Sequence, residues 1–369
     1  PLCNAVAGIS DSAGMLAELE RANLFLIPLD SRRGWYRYHH LFGDWLRYEL
    51  DKSDPETIPQ LHARAAAWHE ENGSLEHAIE HVIDSHDTGY AAELIERYLS
   101  DWNHVHWAQA ARWLAKIPDD VVAAHTLCAL GRGRYAMARG DFSGGWNWIE
   151  VAEAAITEAP SDLRPMLEGI SGLYRAFAEL VMGDAEVARV KALEVAAQER
   201  AAQSTIFAMA IGIAGISTFW MVGALESIPL LREGSVSRAE HSLSDNGITA
   251  LLALAYAEIG DWAGAEAAAA TAFALPPNPE WHRYPDDMAA HFATGKVLVA
   301  RGSREEGIAK IQMGLEKARG WIEPLFVAYG CLVLAEAMTD YSGKRALVRE
   351  ARQILETSRI QGRTMDLVA

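Results

Sequence analysis

Ala138-Arg-Gly-Asp-Phe142 is the first of several similar turns that decide the fold predicted from this sequence. Related stretches follow at Val181-Met-Gly-Asp-Ala185, Glu258-Ile-Gly-Asp-Trp262 and Ala300-Arg-Gly-Ser-Arg304, each between two helical patterns. Glycine readily adopts the left-handed conformation that ends a helix. An Asp or Ser after it can cap the next helix through its side-chain oxygen. Each stretch therefore predicts a helix, a tight turn and a second helix.

The turns recur at a nearly constant interval. Their glycines are 37 to 43 residues apart, at Gly140, Gly183, Gly223, Gly260, Gly302 and Gly343. A fixed period of about 20–50 residues is typical of a solenoid, in which stacked repeats bury one another's apolar faces. We therefore predict an all-α fold, a TPR-like α-solenoid in which about eight helix pairs form a right-handed superhelix.

The array has a recognisable start. Asp54-Pro55 interrupts the preceding helical pattern, because proline lacks the amide donor that a continuing helix needs. Residues 54–369 are predicted as the helical-repeat sensor domain, and 1–53 as a separate domain. The first pair of the array is predicted around Gly73.

Two stretches inside the array carry more local predictions. Residues 121–139, after Pro118-Asp119-Asp120, are predicted as one helix. The prolines from Pro276 to Pro279 predict a loop, and Asp286 or Asp287 can cap the helix that follows it.

The first fifty residues have a different pattern. Ser10 or Asp11 can cap a helix, and the short apolar or aromatic runs 24–29 and 35–38 flank a turn-forming segment, which predicts a β-hairpin. A helical pattern follows over 39–50. Helix, hairpin and helix in this order are the second half of a winged helix, so 1–53 is predicted as a partial winged-helix domain.

The hairpin sequence resembles a known family. Leu19-Glu-Arg-Ala-Asn-Leu-Phe-Leu-Ile-Pro-Leu-Asp30 and Trp35-Tyr-Arg-Tyr-His-His-Leu-Phe42 are similar to the winged-helix end of MalT-like, ATP-dependent LuxR-family activators, which are STAND-class signalling ATPases. Leu61-His-Ala-Arg-Ala-Ala-Ala-Trp68 is similar to the start of their helical sensor region. The resemblance implies an ATPase domain before this stretch and a helix-turn-helix DNA-binding domain after it in a parent protein. ATP or ADP would belong to that ATPase, and no cofactor is expected in the present chain.

The resemblance also implies a role for one histidine. In related STAND proteins, a winged-helix histidine at the start of this helix contacts the β-phosphate of the nucleotide. His39-His-Leu41 matches that motif, so His39 is the expected nucleotide sensor of the parent protein. The alternative is that His39 and His40 only cap the hairpin and pack near Trp35.

Composition argues against several classes of function. The chain has 369 residues and a net charge of −17, and an acidic surface repels phosphate backbones, so no direct nucleic-acid binding is expected. No apolar run reaches the length of a membrane span, although 205–222 comes nearest.

Cys3, Cys128 and Cys331 follow no pairing or metal spacing, which favours buried thiols in a reducing, cytoplasmic compartment. Because the chain begins with Pro1 and mid-domain sequence, we expect it to be part of a longer protein.

One short motif suggests metal chemistry. His77-Ala-Ile-Glu-His81 matches the H-x-x-E-H zinc-protease pattern, whose two histidines share one helix face. The motif lies in a predicted repeat helix and not in a catalytic cleft. We therefore interpret it as structural, and we predict neither a metal site nor a catalytic site in this chain. A zinc hydrolase is the third hypothesis.

The predicted ligand site follows from the repeat architecture. In related solenoids the first helix of each pair lines the inner surface. Aromatic planes with a few directional polar groups are the usual composition of a ligand pocket. The candidate ligand-binding residues on these helices are Arg134, Tyr135, Tyr174, Arg175, Trp220, Tyr256, His291 and Tyr329.

Two hypotheses from different classes remain. The first is an effector-sensing domain of an ATP-dependent LuxR-type regulator, which binds a small-molecule inducer in the superhelix groove and couples it to self-association and DNA binding by the parent protein. The second is a TPR-like interaction scaffold, whose groove binds a peptide or a partner regulator. The first is the leading interpretation, and the second is its alternative.

Overall fold

The computed structural model describes residues 1–31, 34–102, 105–241, 243, 246–276, 287–320 and 324–357. Contacts between residues divide the chain into two compact units, Pro1–Gly131 and Arg132–Ala369. The described residues form twenty α-helices and one two-stranded sheet, which confirms the predicted all-α, TPR-like fold with a hairpin near its start.

The first unit begins with the hairpin and the helices around it. Its elements are α1 (Leu2–Ala7), α2 (Ser12–Arg21), β1 (Leu26–Pro28), β2 (Tyr36–Tyr38), α3 (His40–Ser53), α4 (Thr57–Glu71), α5 (Leu75–Asp84), α6 (Thr88–Leu99), α7 (Trp107–Leu114) and α8 (Asp119–Ala123). Helix α9 (Thr126–Ala138) crosses the boundary between the units.

The second unit continues with helices only. They are α10 (Phe142–Ile156), α11 (Arg164–Met182), α12 (Ala185–Glu199), α13 (Thr205–Met221), α14 (Ala224–Glu240), α15 (Asn246–Glu258), α16 (Trp262–Ala274), α17 (Met288–Ala300), α18 (Arg304–Arg319), α19 (Pro324–Ala337) and α20 (Tyr341–Thr357). With α4–α7 and α9, the described chain has eight helix pairs, as predicted. The predicted loop 276–279, except Pro276, and Asp286 lie outside the described residues.

The winged-helix elements form as predicted, with one addition. Strands β1 and β2 are antiparallel, and Ile27 lies opposite Arg37. Asp11, and not Ser10, caps α2 by accepting a hydrogen bond from Gly14 N at 2.8 Å. The addition is α1, whose last turn is tied to α4 because Arg64 Nη1 donates to the Val6 carbonyl at 3.2 Å.

The predicted turns have the expected backbone at most positions. Left-handed φ angles between 73° and 98° occur at Gly73, Gly140, Gly183, Gly260 and Gly302. The carboxylates of Asp141, Asp184 and Asp261 each accept the amide proton three residues ahead, at 2.8–3.0 Å. These local contacts confirm the helix–turn–helix reading of the repeat.

Gly223 differs from the other glycines, because its φ is 148°, it is the residue before α14, and Val222 ends α13 in its place. Two further turns differ from the prediction. Gly343 does not end a helix: it lies in the first turn of α20, where Gly343 N donates to the Asp340 carboxylate at 2.6 Å. An aspartate cap alone starts this helix, and no left-handed residue is needed. At the other turn, Ser303 precedes α18 but makes no side-chain cap hydrogen bond.

The predicted helix 121–139 is two helices. Helix α8 ends at Ala123 and α9 starts at Thr126, because the Glu96 carboxylate from α6 takes over the start of α9. Glu96 accepts from Leu127 N at 3.0 Å and meets His125 Nδ1 at 2.9 Å. A cap supplied from another helix leaves no signal in the local sequence, so the break was not predicted.

Small residues set how closely the two helices of a pair approach. In α9 and α10, a methyl group added at Gly133 would meet the Gly145 carbonyl oxygen at 3.1 Å. In α17 and α18, one added at Gly295 would meet the Gly307 oxygen at 2.8 Å. Both glycine pairs are 12 residues apart, and the fully buried pairs Ala176/Ala188 and Ala253/Ala265 have the same spacing.

Helix α13, the most apolar stretch of the sequence, is enclosed by other helices. Fourteen of its 17 residues are buried, and it contacts α11, α12, α14 and α15. In the part of the chain that the structure describes, no helix combines the length and the apolarity needed to cross a membrane. Helix packing therefore accounts for the composition of 205–221.

The thiols are in two kinds of environment. Cys128 and Cys331 are fully buried, as predicted, and burial raises the pKa of Cys331 to about 11. Cys3 is exposed on α1, so the prediction of buried thiols is wrong for this residue. Helix α1 is short and has no buried residue, which leaves the side chain of Cys3 in solvent.

Candidate functional site

A pocket of about 780 Å³ opens between the hairpin and α3 in the first unit. Arg37 on β2, the two histidines His39 and His40, and Arg47 on α3 line it, with Ile27, Tyr38 and Leu50 among the apolar members. Asp44 lines the same pocket and pairs with Arg47 at 2.8 Å. Arg37 and the two imidazoles can together bind an anion such as a phosphate group.

The backbone fixes where His39 lies in this pocket. His39 is the residue before α3, and its amide donates to the Phe25 carbonyl at 2.8 Å, which closes the hairpin. Its ring is exposed and lies 4.4 Å from the ring of His40, centroid to centroid. The main chain thus holds the hairpin, and the imidazole remains accessible from the pocket.

The eight predicted ligand-binding residues all lie on first helices of pairs in the second unit. Arg134 and Tyr135 are on α9, Tyr174 and Arg175 on α11, Trp220 on α13, Tyr256 on α15, His291 on α17, and Tyr329 on α19. Consecutive first helices from α11 to α19 also contact one another. Their role in binding stays a prediction.

The structure brings Trp220 and Tyr329 together. Their rings lie 5.7 Å apart although the residues are 109 positions apart in the sequence. Phe326 packs edge-on to Trp220 at 5.0 Å, and Phe292 of α17 lies 6.1 Å from Tyr329. Trp220 and Tyr329 are only 2% and 4% exposed. They belong to a packed aromatic cluster of α13, α17 and α19.

An ion pair adjoins this aromatic cluster. Tyr329 donates its hydroxyl hydrogen bond to the Glu258 carboxylate of α15. The same carboxylate meets Lys296 Nζ of α17 at 2.5 Å, and both side chains are about one fifth exposed. Glu258, Lys296, Trp220 and Tyr329 therefore form one contiguous group, called here the inner cluster, to which four first helices contribute.

Arg175 is held in place within its own repeats. Its guanidinium donates to both Glu153 oxygens, at 3.0 and 2.5 Å, and stacks 3.9 Å above the Trp146 ring. Burial raises the pKa of Glu153, but the hydrogen bonds from Arg175 and Ser171 outweigh it and lower the pKa overall. Arg175 thus has a carboxylate partner on α10, which any ligand must share or displace.

The remaining candidates divide by exposure. Tyr135 and Tyr256 are half-buried, and Tyr135 receives a hydrogen bond from Arg139 at 3.4 Å. Arg134, Tyr174 and His291 are buried. His291 lies 3.4 Å from Asp287 through Nε2, while its Nδ1 is enclosed and finds no partner in the described chain. Tyr135 and Tyr256 are therefore the more accessible aromatic candidates.

The H-x-x-E-H motif lies in α5 among other repeat helices, as predicted. Ser74 and His77 are joined by a 2.8 Å hydrogen bond, and Glu80 accepts from Gln109 at 3.0 Å. Among the described residues, no group of three or more histidine, cysteine or acidic side chains is arranged to hold a metal ion. The motif thus lacks the open three-ligand arrangement of a catalytic zinc site.

Comparison with known proteins identifies the front of the chain. Residues 1–58 match the family described as the MalT winged helix domain. This winged-helix segment is MalT-like. MalT, an HTH-type transcriptional regulator, is 35% identical in Vibrio campbellii over 89 residues, or 24% of this chain and 10% of that protein. MalT of Yersinia pestis is 26% identical over 172 residues, which cover 46% of this chain and 19% of that protein.

Two further likenesses extend beyond this segment along the helical array. The serine/threonine-protein kinase PknK of Mycobacterium tuberculosis is 25% identical over 405 residues, covering 95% of this chain and 36% of the kinase. A STAND protein with a tetratricopeptide repeat sensor from Pyrococcus horikoshii has a similar fold, with a TM-score of 0.52 at 9% identity, over 100% of this chain and 58% of that one. The chain spans about a third of PknK and less of the MalT proteins.

Several residues of these sites were missed from the sequence. Lys296 and Glu258 are 38 positions apart, which is close to one repeat period. Opposite charges at this spacing on successive first helices could have predicted the ion pair. Arg37 and Arg47, the basic neighbours of His39, carried no such signal. Their proximity depends on how α3 packs against the hairpin.

Proposed function

We propose that this chain is the sensing and coupling part of a MalT-like STAND transcriptional regulator. In this proposal the helical array binds a small-molecule inducer, and the winged helix relays the binding event to the ATPase of the parent protein. Such a regulator acts in the cytoplasm with its DNA target. The present chain would carry out no catalysis itself.

The inner cluster is the observation that supports this proposal best. It combines aromatic planes with a carboxylate, an ammonium and a hydroxyl, which is the usual composition of a small-molecule site. It also joins first helices from four successive pairs, α13, α15, α17 and α19. A ligand that repacks it would change the contacts of all four pairs together.

The coupling step requires only that the inducer has different affinities for two arrangements of the helical array. If the inducer binds one arrangement of the array more tightly than another, it shifts the population toward that arrangement. The favoured arrangement would then self-associate and present the DNA-binding domains of the parent protein. This population shift is the mechanism we propose for regulation.

The pocket around His39 supports a matching role for the winged helix. Arg37, His39 and His40 line one opening and can together bind a phosphate group, while Arg47 in the same opening is paired with Asp44. We propose that in the parent protein His39 contacts the phosphates of ATP or ADP bound to the ATPase. The winged helix would then report on the nucleotide while the array reports on the inducer.

Calorimetry of the full chain against sugars and other small metabolites tests the inducer proposal. Tyr135→Ala and Tyr256→Ala are the sharper probes, because both tyrosines are half-buried on first helices, whereas truncating the buried Trp220 would mainly damage packing. Each is expected to weaken binding by about tenfold or more, the loss of roughly 1.4 kcal/mol.

Tyr341→Ala is the matched control, since Tyr341 lies on the second helix of its pair and is 73% exposed. It should leave the affinity unchanged. The proposal fails if no metabolite binds, or if Tyr135→Ala, Tyr256→Ala and Tyr341→Ala have the same affinity as the parent chain.

A protein-interaction scaffold is the second candidate, and one observation favours it. The similarity to PknK, a protein named as a kinase, extends over 95% of this chain, so this kind of array is not tied to transcription regulators. In this view a peptide or a partner regulator, and not a metabolite, binds the array. A thermal-shift screen with metabolites, run beside a pull-down with mass spectrometry, separates the two candidates.

A further inference from the structure

Four histidines meet where α4 packs against α5. His62 and His69 lie on α4, and His77 and His81 lie on α5; they are called here the histidine cluster. His62 Nδ1 and His81 Nδ1 are 2.9 Å apart. The ring of His69 is stacked on His77 at 5.1 Å and on His81 at 5.4 Å, at an angle of 19° to each.

This arrangement suits neutral imidazoles. A hydrogen bond between two ring nitrogens needs one protonated and one bare nitrogen, so it is lost when both rings are fully protonated. Stacked rings about 5 Å apart also repel one another when both are charged, because little water separates them. His69 is only 7% exposed, and its Nδ1 has no hydrogen-bond partner in the described chain.

The acidic groups nearby do not reverse this preference. Glu80 and Asp84 on α5 raise the pKa of His81, but burial, His62 and His69 lower it more. Burial and then His77 lower the pKa of His69. His69 and His81 therefore resist protonation in the folded chain.

Three charged groups of α4 and α5 are engaged with the elements packed against these two helices. Glu70 of α4 binds Arg97 at 2.7 Å and also accepts from Tyr90, both of α6, while Glu80 accepts from Gln109 of α7. From α4 toward α1, Arg64 donates to a backbone carbonyl. None of these contacts supplies a carboxylate partner to His62 or His69.

We propose that the histidine cluster is a proton-sensitive joint between the winged helix and the helical array. At mildly acidic pH, protonation of the cluster separates α4 from α5 and loosens the first helix pair. The position makes this consequential, since α3 ends at Ser53 and α4 begins at Thr57, only a few residues later. The device is independent of inducer binding and adds pH as a second input.

The direction of the pH effect follows from proton linkage. Histidines whose pKa is lower in the folded chain than the ordinary value of 6.5 bind more protons when the pair is open. The closed pair is therefore fully stable above about pH 6.5 and loses stability as the pH falls below it. Each such histidine shifts the equilibrium between the closed and the open pair by up to about tenfold per pH unit, and two histidines shift it by up to about a hundredfold.

Hydrogen exchange of the full chain at pH 7.5 and pH 5.5, corrected for intrinsic exchange rates, tests the proposal. Protection of the α4 and α5 amides should fall at least tenfold on acidification, while that of α17 and α18 changes less than threefold. In His81→Gln, which keeps a hydrogen-bonding side chain but does not titrate, the fall should shrink by at least threefold.

His106→Gln is the matched control, because His106 is exposed and lies outside the cluster; it should behave as the parent chain. If His81→Gln does not fold, histidine NMR titration of the parent chain replaces it and should show at least two imidazoles titrating below pH 6.5. The proposal is overturned if the α4 and α5 amides keep their protection at pH 5.5, or if His81→Gln loses as much of that protection as the unmodified chain. It is also overturned if all histidines titrate near pH 6.5.

Discussion

At the scale of single residues, the same side chain serves different ends at different turns. Asp141, Asp184 and Asp261 cap the helix that follows them. Asp287, also placed just before a helix, makes no cap hydrogen bond and instead binds Lys317 of α18 at 2.7 and 2.9 Å. There a tertiary partner takes the place of the local one.

Asp287 provides a prediction at this scale. Hydrogen bonding to His291, followed by Lys317, lowers the pKa of Asp287 to about 2 despite the opposing effect of burial. A depressed carboxyl pKa stabilises the folded chain above the unfolded-state value of 3.8, and that stability is lost as pH falls from there toward 2. We expect Asp287→Asn to lower the unfolding free energy by about 1–2 kcal/mol at pH 7.

Urea unfolding at pH 7 and pH 3 measures this difference. The difference in unfolding free energy should shrink at pH 3, because the Asp287 carboxyl group is then largely protonated in the unfolded chain. Asp162→Asn, at an exposed position, is the control and should change little at either pH. An equal loss in both variants would contradict the role given to Asp287.

At the scale of elements, glycine and alanine let the two helices of a pair approach each other closely. A methyl group added at Gly295 in α17 would meet Ile311 Cγ1 at 2.5 Å and the Gly307 oxygen at 2.8 Å, both on α18. Neither atom belongs to the end of a long flexible side chain. The helices must therefore move apart to admit it.

Gly295→Ala is accordingly predicted to destabilise the chain by about 1–3 kcal/mol, although alanine is the better helix former. Gly89→Ala is the control, because the nearest atom to its added methyl group, in α6, is an Asp87 oxygen at an ordinary 3.8 Å. Its effect should be near zero or slightly stabilising. Thermal unfolding followed by circular dichroism compares the two, and equal melting temperatures would contradict the close approach.

At the scale of the whole molecule, the charge of the chain disfavours binding to DNA. The net charge is −17, and the winged-helix segment 1–58 itself has nine acidic and six basic side chains. Binding to DNA depends on basic side chains that neutralise phosphates. A winged helix of this charge is suited to contacts within a protein.

We therefore predict that the chain does not bind duplex DNA at about 100 mM salt, because its net charge of −17 repels the phosphate backbone. Fluorescence anisotropy of a labelled duplex, titrated with the chain to high micromolar concentration, measures this. Salt-dependent binding at low micromolar concentration would contradict it and would revive a direct nucleic-acid role.

The sequence by itself determined the repeat and most of its turns. Gly140 with Asp141, and Gly260 with Asp261, act through contacts within a few residues, so the helix end and the next cap could be predicted without knowing the fold. The hairpin and its family likeness were readable for the same reason, since β1 and β2 lie close together in the sequence.

Only the tertiary structure decided what the first helices do with their aromatic residues. Trp220 and Tyr329 were both predicted as ligand-binding residues, but their contact with each other was not predicted. That contact depends on how four helix pairs pack. The break before α9, made by Glu96 of α6, and the meeting of His62 with His81 have the same origin. Such contacts join residues 19 to 109 positions apart, and no local pattern fixes which helix faces meet.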